Sequence, residues 1–258
     1  MQDRYVGDVG DFGKYGLLNE ICKKSNGGTR LGINWFYYVT REEKQKRDKG
    51  RRFDYLNDEN KDSKKYAACF RDLYNELKGI VDSRRSIGEI EKGLILPKET
   101  IFYSKPLPYS SVNPSEREEE RKNWFKVSLS QLKSADIIFL DPDNGIQTDK
   151  VRKTQIKAIK YVFKDEIKEY YELGKSLIIY NHRDRKPESE YARKITDSLG
   201  QISSPEGIKV LRFKRVSVRD FIFLIQKEHR DLIDQTIDYL TSEPCDFLFQ
   251  IRNLDWGK

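Results

Sequence analysis

Cysteine is scarce in this chain. Its 258 residues hold three, Cys22, Cys69 and Cys245. The number is odd, the spacing is wide and no Cys-x-x-Cys pair occurs. That arithmetic argues against a disulfide framework and against a four-cysteine zinc site. It predicts a reducing, cytoplasmic compartment. No apolar run approaches the roughly 20 residues that a membrane-spanning helix needs. The opening residues, Met-Gln-Asp-Arg-Tyr, lack the basic-then-apolar pattern of a secretory leader, so none is expected. Histidine is nearly absent: there are two, His182 and His229. No His-Glu-x-x-His zinc helix, no serine nucleophile elbow and no Gly-x-x-x-x-Gly-Lys-Ser/Thr phosphate loop occurs.

Charge and aromatic rings are what the chain has in plenty. Hydrophobic residues make up 37% of it, and 15 Tyr, 13 Phe and 3 Trp put much of that volume in rings. Such a chain folds rather than staying disordered. Charged residues make up 35%, and 49 Lys and Arg against 42 Asp and Glu leave a net charge of +7. That surplus permits a polyanionic partner such as nucleic acid without requiring one. The length suits a single α/β domain over residues 1–258. A strongly charged stretch at about 41–65 reads as a solvated insertion, or as a surface for a phosphate backbone.

The most informative stretch is Asp136 to Gly145, Asp-Ile-Ile-Phe-Leu-Asp-Pro-Asp-Asn-Gly. Four apolar residues in a row predict a strand buried on both faces. Pro142 stops it, because proline has no amide donor and a fixed φ. Asn144-Gly145 tolerates positive φ and allows a sharp turn. Two acids, Asp141 and Asp143, and an amide thus follow the carboxyl end of a dry parallel strand. Open α/β sheets place their ligands there. Ser176 to Tyr180 predicts a second such strand, ending in Asn181-His182-Arg183-Asp184.

Residues 5–16 carry glycines at 7, 10, 13 and 16, interleaved with Asp8, Asp11 and Lys14. They read either as a binding loop or as the approach to a helix from Phe12 to about Lys24, capped by Asp11. Strands are predicted over Arg30–Val39 and Ile101–Tyr103. Helices are predicted over Tyr66–Leu77, Ser83–Lys92 and from a Ser115/Glu118 capping box into the Asp136 strand. After Gly145 the pattern predicts a helix running on to Leu173. Pro187 opens another, to about Leu199. An antiparallel pair, Ile208–Lys214 with Arg219–Gln226, then a helix to Leu240 and a strand over Asp246–Ile251 close the chain. Alternating strands and helices predict a three-layer, Rossmann-like, mainly parallel sheet of about seven strands, with one reversed strand at an antiparallel end.

Three polar clusters, 8–15, 141–145 and 181–185, fall where they can converge on one sheet edge. Asp141, Asp143, His182 and Asp184 are residue types that hold hard cations if they meet. His229, on an amphipathic helix, reads as structural.

Gly7-Asp8-Val9-Gly10-Asp11-Phe12-Gly13-Lys14-Tyr15 resembles the amino-terminal Gly-Asn-x-Ala-Asp-x-x-Lys-His motif of the ribosomal RNA large-subunit adenine methyltransferase J family. Leu140-Asp141-Pro142-Asp143-Asn144 is similar to that family's Asp-Pro-Pro-Tyr motif. The resemblance implies a class I, S-adenosylmethionine-dependent methyltransferase fold acting on a base amine of nucleic acid. Asp141, helped by Asn144, would then contact the amine, with Asp143 and His182 beside it. Lys14 and Tyr15, with Asp8, Asp11 and Asn34, would lie on the cofactor side. The sequence departs from the family in three places. Asp143 replaces the second proline, Asn144 replaces the base-stacking aromatic, and Asn34-Trp35-Phe36-Tyr37-Tyr38 replaces a glycine-bearing cofactor loop. The same acids, with Lys14 and His182, also suit a Mg²⁺- or Mn²⁺-dependent phosphodiesterase. A third expectation is a scaffold that kept the fold and lost the site.

Overall fold

The computed structural model describes residues 1–39, 52–93, 95–109, 111–183, 186–204, 207–215 and 218–254. Residues 41–51 of the charged stretch expected at 41–65 lie outside the described residues, as does Asp184. The strands are β1 (Leu31–Asn34), β2 (Ile101–Tyr103), β3 (Ile137–Leu140), β4 (Gly145–Ile146), β5 (Tyr161–Val162), β6 (Ser176–His182), β7 (Ile208–Phe213), β8 (Arg219–Leu224) and β9 (Phe249–Arg252). The helices are α1 (Val9–Ser25), α2 (Ser63–Cys69), α3 (Arg71–Asp82), α4 (Ile87–Glu91), α5 (Pro114–Gln131), α6 (Lys164–Glu172), α7 (Glu188–Leu199) and α8 (Arg230–Leu240).

Seven strands form one mixed sheet in the order β2-β1-β3-β6-β8-β7-β9. The first four run parallel, with Gly32 opposite Ile101 and Ile138, and Phe139 opposite Ile178. β8 pairs antiparallel with both β6 and β7, and β9 pairs antiparallel with β7. Two strands are therefore reversed where one was expected. The hairpin folds back so that the later strand, β8, lies inside the earlier one. This is an α/β fold with a parallel core and an antiparallel end, like the class I methyltransferase fold.

The sheet is dry on both faces because its strands are apolar throughout, as parallel strands covered by helices must be. Alternate side chains go to opposite cores. Ile137, Phe139, Ile178 and Phe221 pack with α1, α3 and α8; Ile138, Leu140, Ile179 and Ile222 pack with α5, α6 and α7. α1 lies close on the sheet because its glycines leave room. A Cβ at Gly13 would stand 2.7 Å from the Phe213 ring, and one at Gly10 would stand 2.5 Å from the Tyr180 hydroxyl. Gly10, Gly13 and Gly16 thus lie in the first turns of a helix, while Gly7, at φ +81°, lies in the turn before it.

Three further expectations are corrected. The helix expected after Gly145 is replaced by the two-stranded β4–β5 ladder, a short 3₁₀ turn at Ile156–Lys160, and α6. Gly145 has φ +94°, which ends any continuous run there. Asn113, not Ser115, caps α5, accepting from the Ser115 amide at 3.1 Å. Cys69 and Cys245 form a disulfide across 176 residues, with Cα atoms 5.0 Å apart, leaving Cys22 as the free thiol. Spacing along the chain did not reveal this, because the fold brings α2 against the turn that follows α8. The bridge removes the basis on which a reducing compartment was expected. Among the described residues no helix is long and apolar enough to cross a membrane. His229 is structural: its Nδ1 lies 2.8 Å from the Ser176 hydroxyl.

Candidate functional site

The site begins where α1 starts. Asp8, in extended backbone, caps the helix by accepting from the Asp11 amide at 3.0 Å. The expected cap was Asp11, which instead lies inside the first turn. Lys14 follows one turn later on the same face. Its ammonium is 2.9 Å from Asp11 and 3.0 Å from the Asp141 carboxylate. The Tyr180 ring lies beneath it at 4.3 Å, a cation–π contact. Asp11 uses its second oxygen for the Gly7 amide at 3.1 Å and the Tyr15 hydroxyl at 3.4 Å.

This cluster is almost fully closed to water: Asp11 is 0% exposed, Asp141 2% and Lys14 4%. Burial shapes its ionisation. Desolvation pushes the Asp11 carboxyl up to about 7 against the pull of Lys14. Desolvation alone would lower Lys14, but Asp11 and Asp141 outweigh it and hold the ammonium charged. Tyr15 and Tyr180 are driven up by burial and remain phenols, Tyr180 at about 12.

Asp143 faces a different set of partners. The Met1 ammonium lies 3.2 Å from its carboxylate, Gln2 Nε2 donates at 2.8 Å, and the Tyr38 hydroxyl donates as well. Burial would raise this carboxyl, but the ammonium and Tyr38 override it and hold it at about 2. The Met1 ammonium also donates to the carbonyls of Trp35 (2.9 Å), Phe36 (3.2 Å) and Asp141 (3.2 Å). Its sulfur sits 3.9 Å from Lys14 Nζ. Trp35 and Phe36 are fully buried, and Phe36 has φ +45°. The segment after β1 thus bends sharply to close over the first residues of the chain. Nothing in the sequence pattern had singled out Met1, Gln2, Tyr38 or Tyr180, since each meets its partner only through the fold.

Asn144 and His182 lie on the next stretch of the same sheet edge. The Asn144 carbonyl accepts from the His182 amide at 3.4 Å, and its own amide donates to Lys160 at 2.8 Å. Desolvation, then the nearby Arg219, lowers His182 to about 3, against the opposing charge of Asp143. The ring is neutral at physiological pH. Both residues line a cavity of about 190 Å³ between the β4–β5 ladder and α7.

The expected site residues therefore divide into groups. Asp8, Asp11, Lys14, Tyr15 and Asp141 meet in one cluster. Asp143 stands next to it, engaged by Met1. Asn144 and His182 line the cavity. Asn34 ends β1 but turns inward: its Oδ1 accepts from the Phe36 amide at 3.0 Å and its Nδ2 donates to Tyr170 at 3.2 Å. Its amide is spent on holding the bend after β1.

Among the described residues no three His, Cys, Asp or Glu side chains are grouped so as to hold a metal ion. The carboxylates of Asp11 and Asp141 are instead bridged by one lysine. Fold and site together define an α/β protein with a class I methyltransferase-like sheet and a buried acid–lysine cluster at the carboxyl ends of its parallel strands. No protein-family model matches the chain, and neither does any of the curated proteins searched.

Proposed function

We propose that this chain is a divergent S-adenosylmethionine-dependent methyltransferase that acts on an amine of a nucleic-acid base. One observation carries the reading. The two short motifs that resemble the adenine methyltransferases lie 127 residues apart, yet Lys14 and Asp141 meet at 3.0 Å where the parallel strand β3 ends.

The residues present suit the amino-acid end of the cofactor, and Met1 serves as the stand-in. A methionine ammonium is held by three carbonyls and a carboxylate, the acceptor set such a group requires. Trp35, Phe36, Asp141 and Asp143 would hold the same group of a bound cofactor once Met1 withdraws. Bound there, S-adenosylmethionine would supply an electrophilic methyl group. Lys14 bridges Asp141 and Asp11 and fixes the turn after β3 against α1. Asn144 offers an acceptor to a base amine, which increases the electron density on its nitrogen. No cation of the site has to change its ionisation for this.

The metal-dependent phosphodiesterase is the weaker reading, because Asp11 and Asp141 already share Lys14. Calorimetry with S-adenosylmethionine, followed by transfer of labelled methyl groups to RNA and DNA, tests the proposal. Binding that weakens in Asp143→Asn supports it. Absence of heat at millimolar cofactor removes it.

A further inference from the structure

We infer that the 190 Å³ cavity beside Asn144 is a pocket for one amine-bearing nucleobase turned out of its helix. The inference rests on the proposed function, and beyond Asn144 and His182 it assigns the substrate pocket to residues that neither the motifs nor the resemblance had indicated.

The cavity has the size of a single ring system. By the liquid volume of water it would hold about six molecules, too little for a folded stretch of nucleic acid. Its apolar walls are Ile146 on β4 and Ile195 on α7, with the rings of Tyr161 and Tyr191. Such walls suit a flat heterocycle with two faces to cover. The rest of its lining is polar. Gln147 accepts from the Lys164 amide through Oε1 at 3.1 Å, and among the described residues its amide nitrogen has no partner. Asn144, whose side-chain amide offers both an acceptor and a donor, also lines the cavity, while the His182 imidazole packs on the other face of β6 against the Tyr180 ring at 6.3 Å. A carboxamide donor from Gln147 with a carboxamide acceptor from Asn144 would complement the edge that adenine and cytosine present, a ring nitrogen next to an amine. Uracil presents the opposite order.

The pocket is also built to keep its shape. Asn181 Oδ1 accepts from the Ile146 amide at 2.9 Å, and its Nδ2 donates to the Tyr191 hydroxyl at 2.9 Å. This one amide ties the ladder to α7 across the cavity. Gly145 is required at the joint, since a Cβ there would lie 1.9 Å from Asn181 Oδ1. Lys194 and Arg183 also line the cavity and bring basic side chains to it, Arg183 being held by Glu188 at 2.9 Å and lying over the Tyr191 ring at 5.2 Å.

The experiment is calorimetry of the full chain with the 5′-monophosphates of adenosine, cytidine and uridine, and with ribose 5-phosphate. The expected result is that adenosine or cytidine monophosphate binds at least about tenfold more tightly than uridine monophosphate. Ribose 5-phosphate is expected to bind more weakly still. Ser198→Trp, which fills the cavity from α7, is expected to abolish that binding while the thermal midpoint holds and S-adenosylmethionine still binds. Equal affinity for all three nucleotides, affinity matched by ribose 5-phosphate, or unchanged binding in a folded Ser198→Trp protein would overturn the assignment. Base discrimination without cofactor binding would leave the pocket standing and remove the methyltransferase reading. Cofactor binding without nucleotide binding would do the reverse.

Discussion

Lys14 Nζ stands 3.0 Å from the Asp141 carboxylate, and this one contact closes a loop of 127 residues. It joins the first helix to the end of β3. A buried lysine between two buried carboxylates is costly unless all three are present, because each charge has left water. Lys14→Met should therefore cost about 3–5 kcal/mol in urea unfolding. Adding Asp11→Asn and Asp141→Asn should recover much of that loss. Equal loss in the single and triple variants would show that the cluster contributes no coupled stabilisation.

The acid limb of stability should carry the signature of His182. Its folded value of about 3 lies below the ordinary 6.5. Its contribution is therefore complete above pH 6.5 and is lost as the pH falls from there through 3. His182→Gln should flatten that limb by something on the order of a kcal/mol. Asp11 acts in the opposite sense. Its folded value of about 7 lies above the ordinary 3.8, so its contribution is complete below 3.8 and is lost as the pH rises through 7. Asp11→Asn should make stability less sensitive to pH between those limits. Urea midpoints measured from pH 3 to 8 check both.

The Cys69–Cys245 bridge should be measurable in thiol counts. Titration of the unfolded, unreduced chain should find Cys22 alone, and all three thiols after reduction. Cys69→Ser with Cys245→Ser should lower stability by about 2–4 kcal/mol, since a long loop is released. Three thiols without reductant would contradict the bridge.

Gly145→Ala should disturb the cavity more than the fold. The position needs φ +94° and has Asn181 against it. A loss of about 2 kcal/mol is expected, with nucleotide binding lost and the secondary-structure spectrum unchanged.

Much of the sheet was legible in the sequence because its strands are short apolar runs that stop at special residues. Ile137 to Leu140 ends at Asp141-Pro142 as expected, and Ile101 to Tyr103 matches residue for residue. The hairpin β7–β8 was legible for the same reason. The stretch after Gly145 was not. Its basic residues suit a helix, but a glycine at positive φ and a two-residue ladder leave no periodic trace. The glycines of α1 were read as either loop or helix approach, because glycine lowers helix propensity. Here close packing on Tyr180 and Phe213 overrides that preference. Within the site, Asp141 and Lys14 were legible as motif residues. The engagement of Asp143 by Met1 and Tyr38 was not, since contacts across 142 and 105 positions are a property of the fold alone.

Everything functional depends on whether the carboxyl edge of the parallel strands accepts S-adenosylmethionine in place of Met1. Isothermal titration of the intact chain with the cofactor measures that directly. Saturable binding in the wild type, weakened at least about tenfold in Asp143→Asn through loss of a charge-assisted contact, is the predicted outcome. A wild-type chain that stays folded and takes up no cofactor at millimolar concentration would contradict it.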